Sequence, residues 1–434
     1  MTEIYPRVLI VGQYFNTNSG GGITMSNLFD GWDKEKIAVA AENINNPNFD
    51  ICNKYYEFGS SENKSQFPFN LNKLGLHRKS GLLNKNEQTV ASFAFHGSKK
   101  KSYKSFYENF LSYTGLRHYR HRYEISNQFL NWIEQFSPDI IYSQLSSFDL
   151  ILFIRDLHEK LQIPIAIHIM DDWPKTICEK GIFKSYWNKV IEREFRNLLS
   201  TAKVLMGISE SMNKEYQKRY GHNFVPFHNP INIQFWSTSS KKNYELKDKF
   251  VILYAGRIGT GVQNCFFEIA EVVSSLILKG LEIELHIQPT NFNPILNDLV
   301  KFNFIKINNT ADYKELPKIF AEADLLLLPN DFENTSISFL RYSMPTKASE
   351  YMVSGVPILV YSSIETAVTQ HAMKYNWAYV VSEKNKEKLE LAIFKIYKCE
   401  ELRKRLGNAA REYAINNYDS KKIKDQFKML LSKK

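Results

Sequence analysis

The feature that most limits what this chain can fold into is an alternation of strand and helix signals that runs twice. The first series has short apolar, β-branched runs at "RVLIVGQY" (7–14), "KIAVAA" (36–41), "PDIIYSQ" (138–144), "IPIAIHI" (163–169), "AKVLMGIS" (202–209) and "NFVPFHN" (223–229). Amphipathic stretches such as "YEISNQFLNWIEQF" (123–136) and "FDLILFIRDLHEKL" (148–161) lie between them. A polar stretch, "WSTSSKKNYELKDK" (236–249), reads as a linker, and a second series follows it. Its runs are "KFVILYAG" (249–256), "LEIELHIQ" (281–288), "NFIKIN" (303–308), "ADLLLLP" (323–329), "VPILVYS" (356–362) and "AYVVS" (378–382). Near-continuous apolar strands separated by helices predict parallel sheets covered on both faces, so the expected class is α/β with two Rossmann-like, doubly wound domains facing a central cleft.

The predicted boundaries are 1–238, 239–405, and a helical tail at 406–434 that could cross back to the first domain. A length of 434 residues agrees with more than one core. Cys52, Cys178, Cys265 and Cys399 are far apart, which argues against a disulfide framework or structural zinc and for a reducing, cytoplasmic setting. The start of the chain lacks a signal-peptide layout, and no run approaches the ~20 apolar residues of a membrane span. The net charge is +10, and residues 61–125 hold twelve Lys/Arg against four Glu, a surplus of 12 − 4 = +8. Segment 60–122 therefore reads as a basic insertion in the first domain, either helical or a flexible flap.

Five motifs carry candidate chemistry. In "GQYFNTNSGGGITMSNLFDGW" (12–32), Gly20, Gly21 and Gly22 precede a helix expected near Ile23. They would let the backbone approach a phosphate or sugar at a helix N-terminus, or simply make a tight turn. In "YAGRIGTGVQN" (254–264), Arg257 follows a strand and Gly259 opens the next helix, a placement suited to clamping a diphosphate or pairing with a surface acid. In "SMPTKASEYMVSGVPILVY" (343–361), Lys347 lies in a first helical turn, where a cation opposes the helix dipole unless an anion is bound. Glu350 is one turn on and could accept a ribose diol, or pair with Lys347. In "IHIMDDWPKTI" (167–177), His168, Asp171 and Asp172 sit where a strand gives way to a loop. A chain without any D-x-D disfavours folds that hold a metal on nucleotide-sugar phosphates through that motif. "GLRHYRHRYE" (115–124) could bind nucleic acid, dock on an anionic membrane, or be a solvated helix face.

The pairing of "YAGRIG" with "PTKASEYMVSGVPILVY" resembles the donor-binding half of GT-B glycosyltransferases similar to glycosyltransferase family 4, of the surface-polysaccharide or lipopolysaccharide type. Pro345 to Pro357 matches that family's P-[ST]-K-x-x-E-Y-[LM]-[AV]-[ST]-G-x-P segment position by position. "DDWP" resembles its D-x-W-P more weakly, and 60–122 has no clear counterpart. The resemblance implies that Glu350 holds the ribose, that Arg257 and Lys347 hold the diphosphate, and that Gly20, Gly21 and Gly22 approach the phosphate or sugar. It places His168, Asp171 and Asp172 near the reacting sugar or acceptor, with 1–238 as acceptor-binding domain and 239–405 as donor-binding domain.

The activity implied is transfer from a UDP- or GDP-sugar co-substrate to a glycan or lipid-linked acceptor in cell-surface polysaccharide or glycoconjugate synthesis. It would be retaining, with no metal or other cofactor and no nucleic-acid partner. The expected place is cytoplasmic, at the inner face of the plasma membrane if 60–122 meets anionic lipid. One departure stands out: many members have a glutamate eight residues before Glu350, where this chain has Tyr342, so Asp331 or Glu333 would stand in for the lost carboxylate, and Glu333 and Tyr342 are the candidate donor-sugar contacts. The alternatives are a non-catalytic GT-B-like subunit that binds a partner or glycan, and a GT-B nucleotide-sugar epimerase.

Overall fold

The computed structural model describes residues 5–16, 19–69, 79–83, 101–177 and 181–433, with the side chains of 101–106 and 176 outside that description. The chain divides into two compact units: Met1–Pro226 with Gln426–Lys434, and Phe227–Asp425.

The first unit contains β1 (Val8–Val11), β2 (Ile37–Ala41), β3 (Tyr55–Glu57), β4 (Asn63–Ser65), β5 (Gly81–Leu83), β6 (His121–Tyr123), β7 (Ile140–Ser143), β8 (Ile165–Ile169), β9 (Val204–Gly207) and β10 (Val225–Pro226). Eight of them form one sheet in the order β10-β9-β8-β7-β1-β2-β3-β5, parallel except for the antiparallel edge pair β3–β5. Every residue of β1, β2, β7 and β8 is buried, which is why these segments read as unbroken apolar runs. Sequence order reverses about β1, so the loops after β1 and β7 flank the point where such sheets take ligands.

The described part of segment 60–122 is in part helical and also contains strands that the sequence reading did not include. It supplies the edge strand β5, and β4 pairs antiparallel with β6. The helix Lys101–Thr114 lies between them. The strands are three residues long and none has a buried residue, so backbone pairing creates them and side-chain pattern does not announce them. Residues 70–78 and 84–100 of this segment, and Cys178, lie outside the described residues. The other three cysteines are free thiols, with Cys52 and Cys265 buried.

The second unit contains β11 (Phe250–Gly256), β12 (Ile283–Pro289), β13 (Ile305–Ile307), β14 (Leu325–Pro329), β15 (Ile358–Tyr361) and β16 (Tyr379–Val381). All six are parallel in the order β13-β12-β11-β14-β15-β16, the 3-2-1-4-5-6 arrangement of a Rossmann sheet, with the switch point between β11 and β14. The stretch 236–249 is no free linker. Lys241 forms an ion pair with Asp324 at 2.8 Å, and the Tyr244 hydroxyl donates to the Gly355 carbonyl at 2.8 Å, both within this unit. Its polar residues serve those bonds, which is why composition alone suggested a linker.

Candidate active site

The helix Thr346–Ser354 starts at Pro345, has no side-chain cap and no acid in its first turn, and ends at Gly355 with φ +74°. Such an N-terminus carries partial positive charge from its backbone N–H groups, and Lys347 adds a full one. The expected ion pair between Lys347 and Glu350 is not formed: among the described residues no ion pair joins them. The ammonium instead lies 3.9 Å from the centroid of the Tyr254 ring. It packs so closely on Gly256 that a Cβ there would stand 2.4 Å from Nζ. Gly256 has φ +146°, so only glycine both adopts the backbone and leaves room for the lysine. Burial pulls the Lys347 ammonium down to about 7, opposed by the Glu350 carboxylate.

Lys347 thus reaches the end of β11, one residue from Arg257. Arg257 is exposed and its guanidinium makes no ion pair or hydrogen bond among the described residues, so the surface-acid alternative is not realised. The loop that carries it is held from two sides. The Tyr254 hydroxyl donates to the Arg257 carbonyl at 2.5 Å, and Asn291 accepts from the Ile258 N–H and donates to the Ile258 carbonyl, each at 2.9 Å. A Cβ at Gly259 would lie 3.7 Å from the Arg257 Nε, an ordinary contact, so the guanidinium does not require glycine there.

Glu350 is 6% exposed. Burial pushes its carboxyl up to about 7, against the hydroxyl of Tyr313, the charge of Lys347 and the Asn229 side chain, which all favour the ionised form. Tyr313 donates to Oε1 at 3.3 Å. Asn229 also donates to the Thr346 carbonyl at 3.3 Å and accepts from the Ser349 hydroxyl at 3.1 Å through its own carbonyl, tying "HNP" (228–230) to the same helix. Tyr254, Tyr313 and Asn229 were not among the sequence candidates. A tyrosine after a strand has no distinguishing pattern, and Asn229 is legible only as one polar residue beside a proline.

Asp331, after β14, is turned inward. Its Oδ1 accepts from the Cys265 N–H at 2.9 Å, capping the helix Cys265–Leu278, and its own N–H donates to the Gly261 carbonyl at 2.8 Å. It therefore braces the Arg257 loop. Glu333 is the N-cap residue of the helix Asn334–Leu340, half-exposed and 4.0 Å from Lys384. Its carboxylate thus faces Lys384 and not Lys347. Tyr342 is half-buried, two residues beyond that helix.

In the first unit the glycine run differs from expectation. The helix begins at Gly20, not near Ile23, so the glycines form its first turn, and Ser19 caps it by accepting from the Gly22 N–H at 3.1 Å. A Cβ at Gly22 would lie 2.3 Å from the Asn16 amide, and one at Gly21 would lie 2.8 Å from the Gln144 Oε1. Both glycines therefore admit buried amides from the neighbouring loops. His168 is fully buried in β8 with Nδ1 2.8 Å from the Tyr142 hydroxyl, and Gln144 donates to that hydroxyl at 3.2 Å and to the Gly21 carbonyl at 3.4 Å. His168 is thus a satisfied sheet residue linked to the glycine turn through Tyr142 and Gln144.

Asp172 is also committed: it accepts two hydrogen bonds from Arg219, at 2.9 and 3.0 Å, and one from the Tyr216 hydroxyl at 2.8 Å. Asp171, beside it, is half-buried. In "GLRHYRHRYE", Arg120 pairs with Glu108 at 2.8 Å and Arg122 with Asp156 at 3.0 Å, while Arg117 stays exposed.

Residues 295–413 match a protein family described as "Glycosyl transferases group 1", a span that contains Tyr313, Asp331, Lys347 and Glu350. Comparison with curated proteins finds no match. Among solved structures, Anabaena HepE in complex with UDP and glucose is similar at 11% identity and TM-score 0.62, over 99% of this chain and 100% of that one. Sucrose-phosphate synthase from Thermosynechococcus elongatus is similar at 11% identity and TM-score 0.60, over 98% and 97%. WaaG, a glycosyltransferase involved in lipopolysaccharide biosynthesis, is similar at 13% identity and TM-score 0.56, over 98% and 100%. The fold is therefore the α/β GT-B class with two Rossmann-like domains, and together with the matched segment it supports a glycosyltransferase.

Proposed function

We propose that this chain transfers a sugar from a nucleoside-diphosphate sugar to a glycan or lipid-linked acceptor in surface-polysaccharide or glycoconjugate synthesis. The observation that carries the donor half is the convergence at the end of β11. There Lys347 lies against Gly256 beside the unpaired Arg257, at the start of a helix with no acid and no side-chain cap. Two cations and a helix N-terminus supply the positive charge a departing nucleoside diphosphate needs, so the reaction is read as metal-independent. Glu350, buried one turn along, takes the ribose hydroxyls. HepE binds UDP and glucose, which supports a uridine nucleotide as the first donor to try.

On the acceptor side, Asp171, half-buried where β8 gives way to its loop, is the candidate for the reacting centre; Asp172 is bound by Arg219 and Tyr216, and His168 by Tyr142. Departure of the diphosphate and attack on one face would make the enzyme retaining. Contact with an anionic membrane is read from an exposed patch on the same loop region. Ile182 donates through its N–H to the Tyr113 carbonyl at 3.0 Å, and Tyr113, Ile182, Phe183 and Tyr186 are each more than half exposed beside exposed Arg117 and Lys184. Among the described residues no helix is long and apolar enough to cross a membrane.

The test is a panel of nucleotide-sugars, UDP- and GDP-linked first, read by thermal shift and by sugar release with and without magnesium. A shift without magnesium that Glu350→Ala abolishes supports the reading. The absence of any shift or turnover overturns it, and conversion of the sugar with no transfer assigns an epimerase instead.

A further inference from the structure

We infer that Tyr313 is a positioning residue for the donor: its hydroxyl fixes the Glu350 carboxylate in the orientation that receives the ribose diol. The inference rests on the reading of Glu350 under the proposed function, and three features of the second unit carry it.

The first is that the helix bearing Glu350 cannot move, so only its side chain can. Tyr351, the next residue, accepts from the Ala255 N–H at 2.7 Å and donates to the Ala255 carbonyl at 3.2 Å, fastening the helix to β11. Phe320 packs edge-on against the same ring at 5.0 Å. What remains to be set is the rotation of the carboxylate, and a hydrogen-bond donor held in place sets it.

The second is that Tyr313 is itself held. It opens the turn Tyr313–Glu315, which a reciprocal capping box between Asp312 and Glu315 closes. Its ring lies parallel to Phe235 at 5.5 Å with 7° between planes, and Trp236 meets it edge-on at 6.0 Å. A tyrosine stacked on one side and abutted on another keeps its hydroxyl pointed in one direction.

The third is stoichiometry. An ionised carboxylate has about four lone-pair sites, so a bond from Tyr313 to Oε1 at 3.3 Å leaves capacity for both hydroxyls of a diol. The same bond favours the ionised form, which is the form that accepts two hydroxyl protons. Phe235 lies in the segment Ile233–Ser237, shortly after the chain enters the second unit, so that segment supports the donor carboxylate through Tyr313.

The experiment measures binding of UDP, GDP, ADP and dTDP by calorimetry from pH 6 to pH 9 for wild type, Tyr313→Phe, Phe235→Leu and Glu350→Gln, with melting curves as a folding control. Tyr313→Phe keeps the stacking and is expected to melt as wild type does. Its affinity should fall about five- to twentyfold relative to wild type at pH 7, with the ratio narrowing by pH 8.5 as the unassisted carboxyl ionises. In turnover the loss should appear in KM for the donor and not in kcat. Phe235→Leu, which keeps the hydroxyl but frees the ring, should show a smaller loss.

A merely structural role predicts an equal loss at every pH and overturns the inference. So does Tyr313→Phe binding as wild type does while Glu350→Gln is weakened, and in that case the proposed function stands. If wild type binds a nucleotide and Glu350→Gln binds it equally well, the ribose reading falls and the inference falls with it.

Discussion

The Lys347 ammonium lies 3.9 Å over the ring of Tyr254 and not against Glu350, one helical turn away. Two opposite charges on neighbouring turns that decline to pair are each left to a third party. For Lys347 the interim partner is a ring face, which stabilises a cation by only about 1 kcal/mol and is readily supplemented by a phosphate. Burial holds both groups near neutrality, the lysine pulled down and the glutamate pushed up, each to about 7.

That pair of shifts predicts a bell-shaped pH dependence for nucleotide binding. A diphosphate binds the charged lysine better, so binding takes up a proton above about pH 7 and weakens as pH rises further. The ribose diol binds the ionised carboxylate better, so binding releases a proton below about pH 7 and weakens as pH falls. Calorimetry in buffers of different ionisation enthalpy should show proton uptake on the alkaline limb and release on the acid limb. Lys347→Arg should flatten the former and Glu350→Gln the latter.

The same shifts bear on the empty protein with the opposite sense for each group. The Glu350 carboxyl holds its proton more tightly when folded, so its contribution to stability falls as pH rises from about 4.5 to about 7. Lys347 releases its proton more readily when folded, so its contribution rises as pH climbs from about 7 to about 10.5. Lys347→Met should therefore raise the melting temperature near pH 7 while removing nucleotide binding. A fall in melting temperature would show that the lysine is a structural residue.

Arg257 and Asp331 separate function from support within one loop. The Arg257 guanidinium is exposed and unpaired among the described residues, so Arg257→Ala should change stability by less than about 0.5 kcal/mol yet weaken diphosphate binding at least tenfold. Asp331→Ala removes the cap on the helix Cys265–Leu278 and should cost about 1–2 kcal/mol of stability. Urea unfolding and nucleotide titration on both variants check the contrast.

Adjacent carboxylates make a second contrast. Asp172 is 5% exposed and takes three hydrogen bonds, two from Arg219. Asp172→Ala removes the bidentate partner of the Arg219 guanidinium, which keeps Glu215, and the acceptor of the Tyr216 hydroxyl, and should destabilise by about 1.5–3 kcal/mol. Asp171→Asn, which keeps the side-chain shape, should cost less stability than Asp172→Ala and lower turnover. Equal stability loss in both would remove Asp171 from the reacting centre.

These contrasts show where the sequence was legible. The inner strands of both sheets are, because burial on two faces leaves only apolar residues, as in "VLIV" and "LLLLP". Strands β3, β4, β5 and β6 are not, because a three-residue strand carries too little pattern and exists only through its backbone partner. Lys347 stood out because its charge conflicts with a helix start, and Glu350 because it lies one turn further on. Asp172 and His168 looked like site residues because their partners, Arg219 and Tyr142, lie 47 and 26 residues away and nothing local reveals the bonds.

The exposed patch of Tyr113, Ile182, Phe183 and Tyr186 gives the last prediction. Tyrosine and phenylalanine at this exposure suit the headgroup boundary of a bilayer, where an amphipathic ring has both surroundings it needs. Each nearby lysine or arginine adds about 1 kcal/mol at an anionic surface, which salt screens. Wild type should therefore sediment with vesicles containing phosphatidylglycerol and not with pure phosphatidylcholine, and added salt should release it. The triple change Ile182→Ser, Phe183→Ser, Tyr186→Ser should lose sedimentation while nucleotide binding stays as in wild type, because all three belong to the first unit and Arg257, Lys347 and Glu350 to the second. Lys184→Glu should weaken sedimentation and blunt its salt dependence. If the triple variant still sediments, the patch serves another partner and the acceptor need not arrive from a membrane.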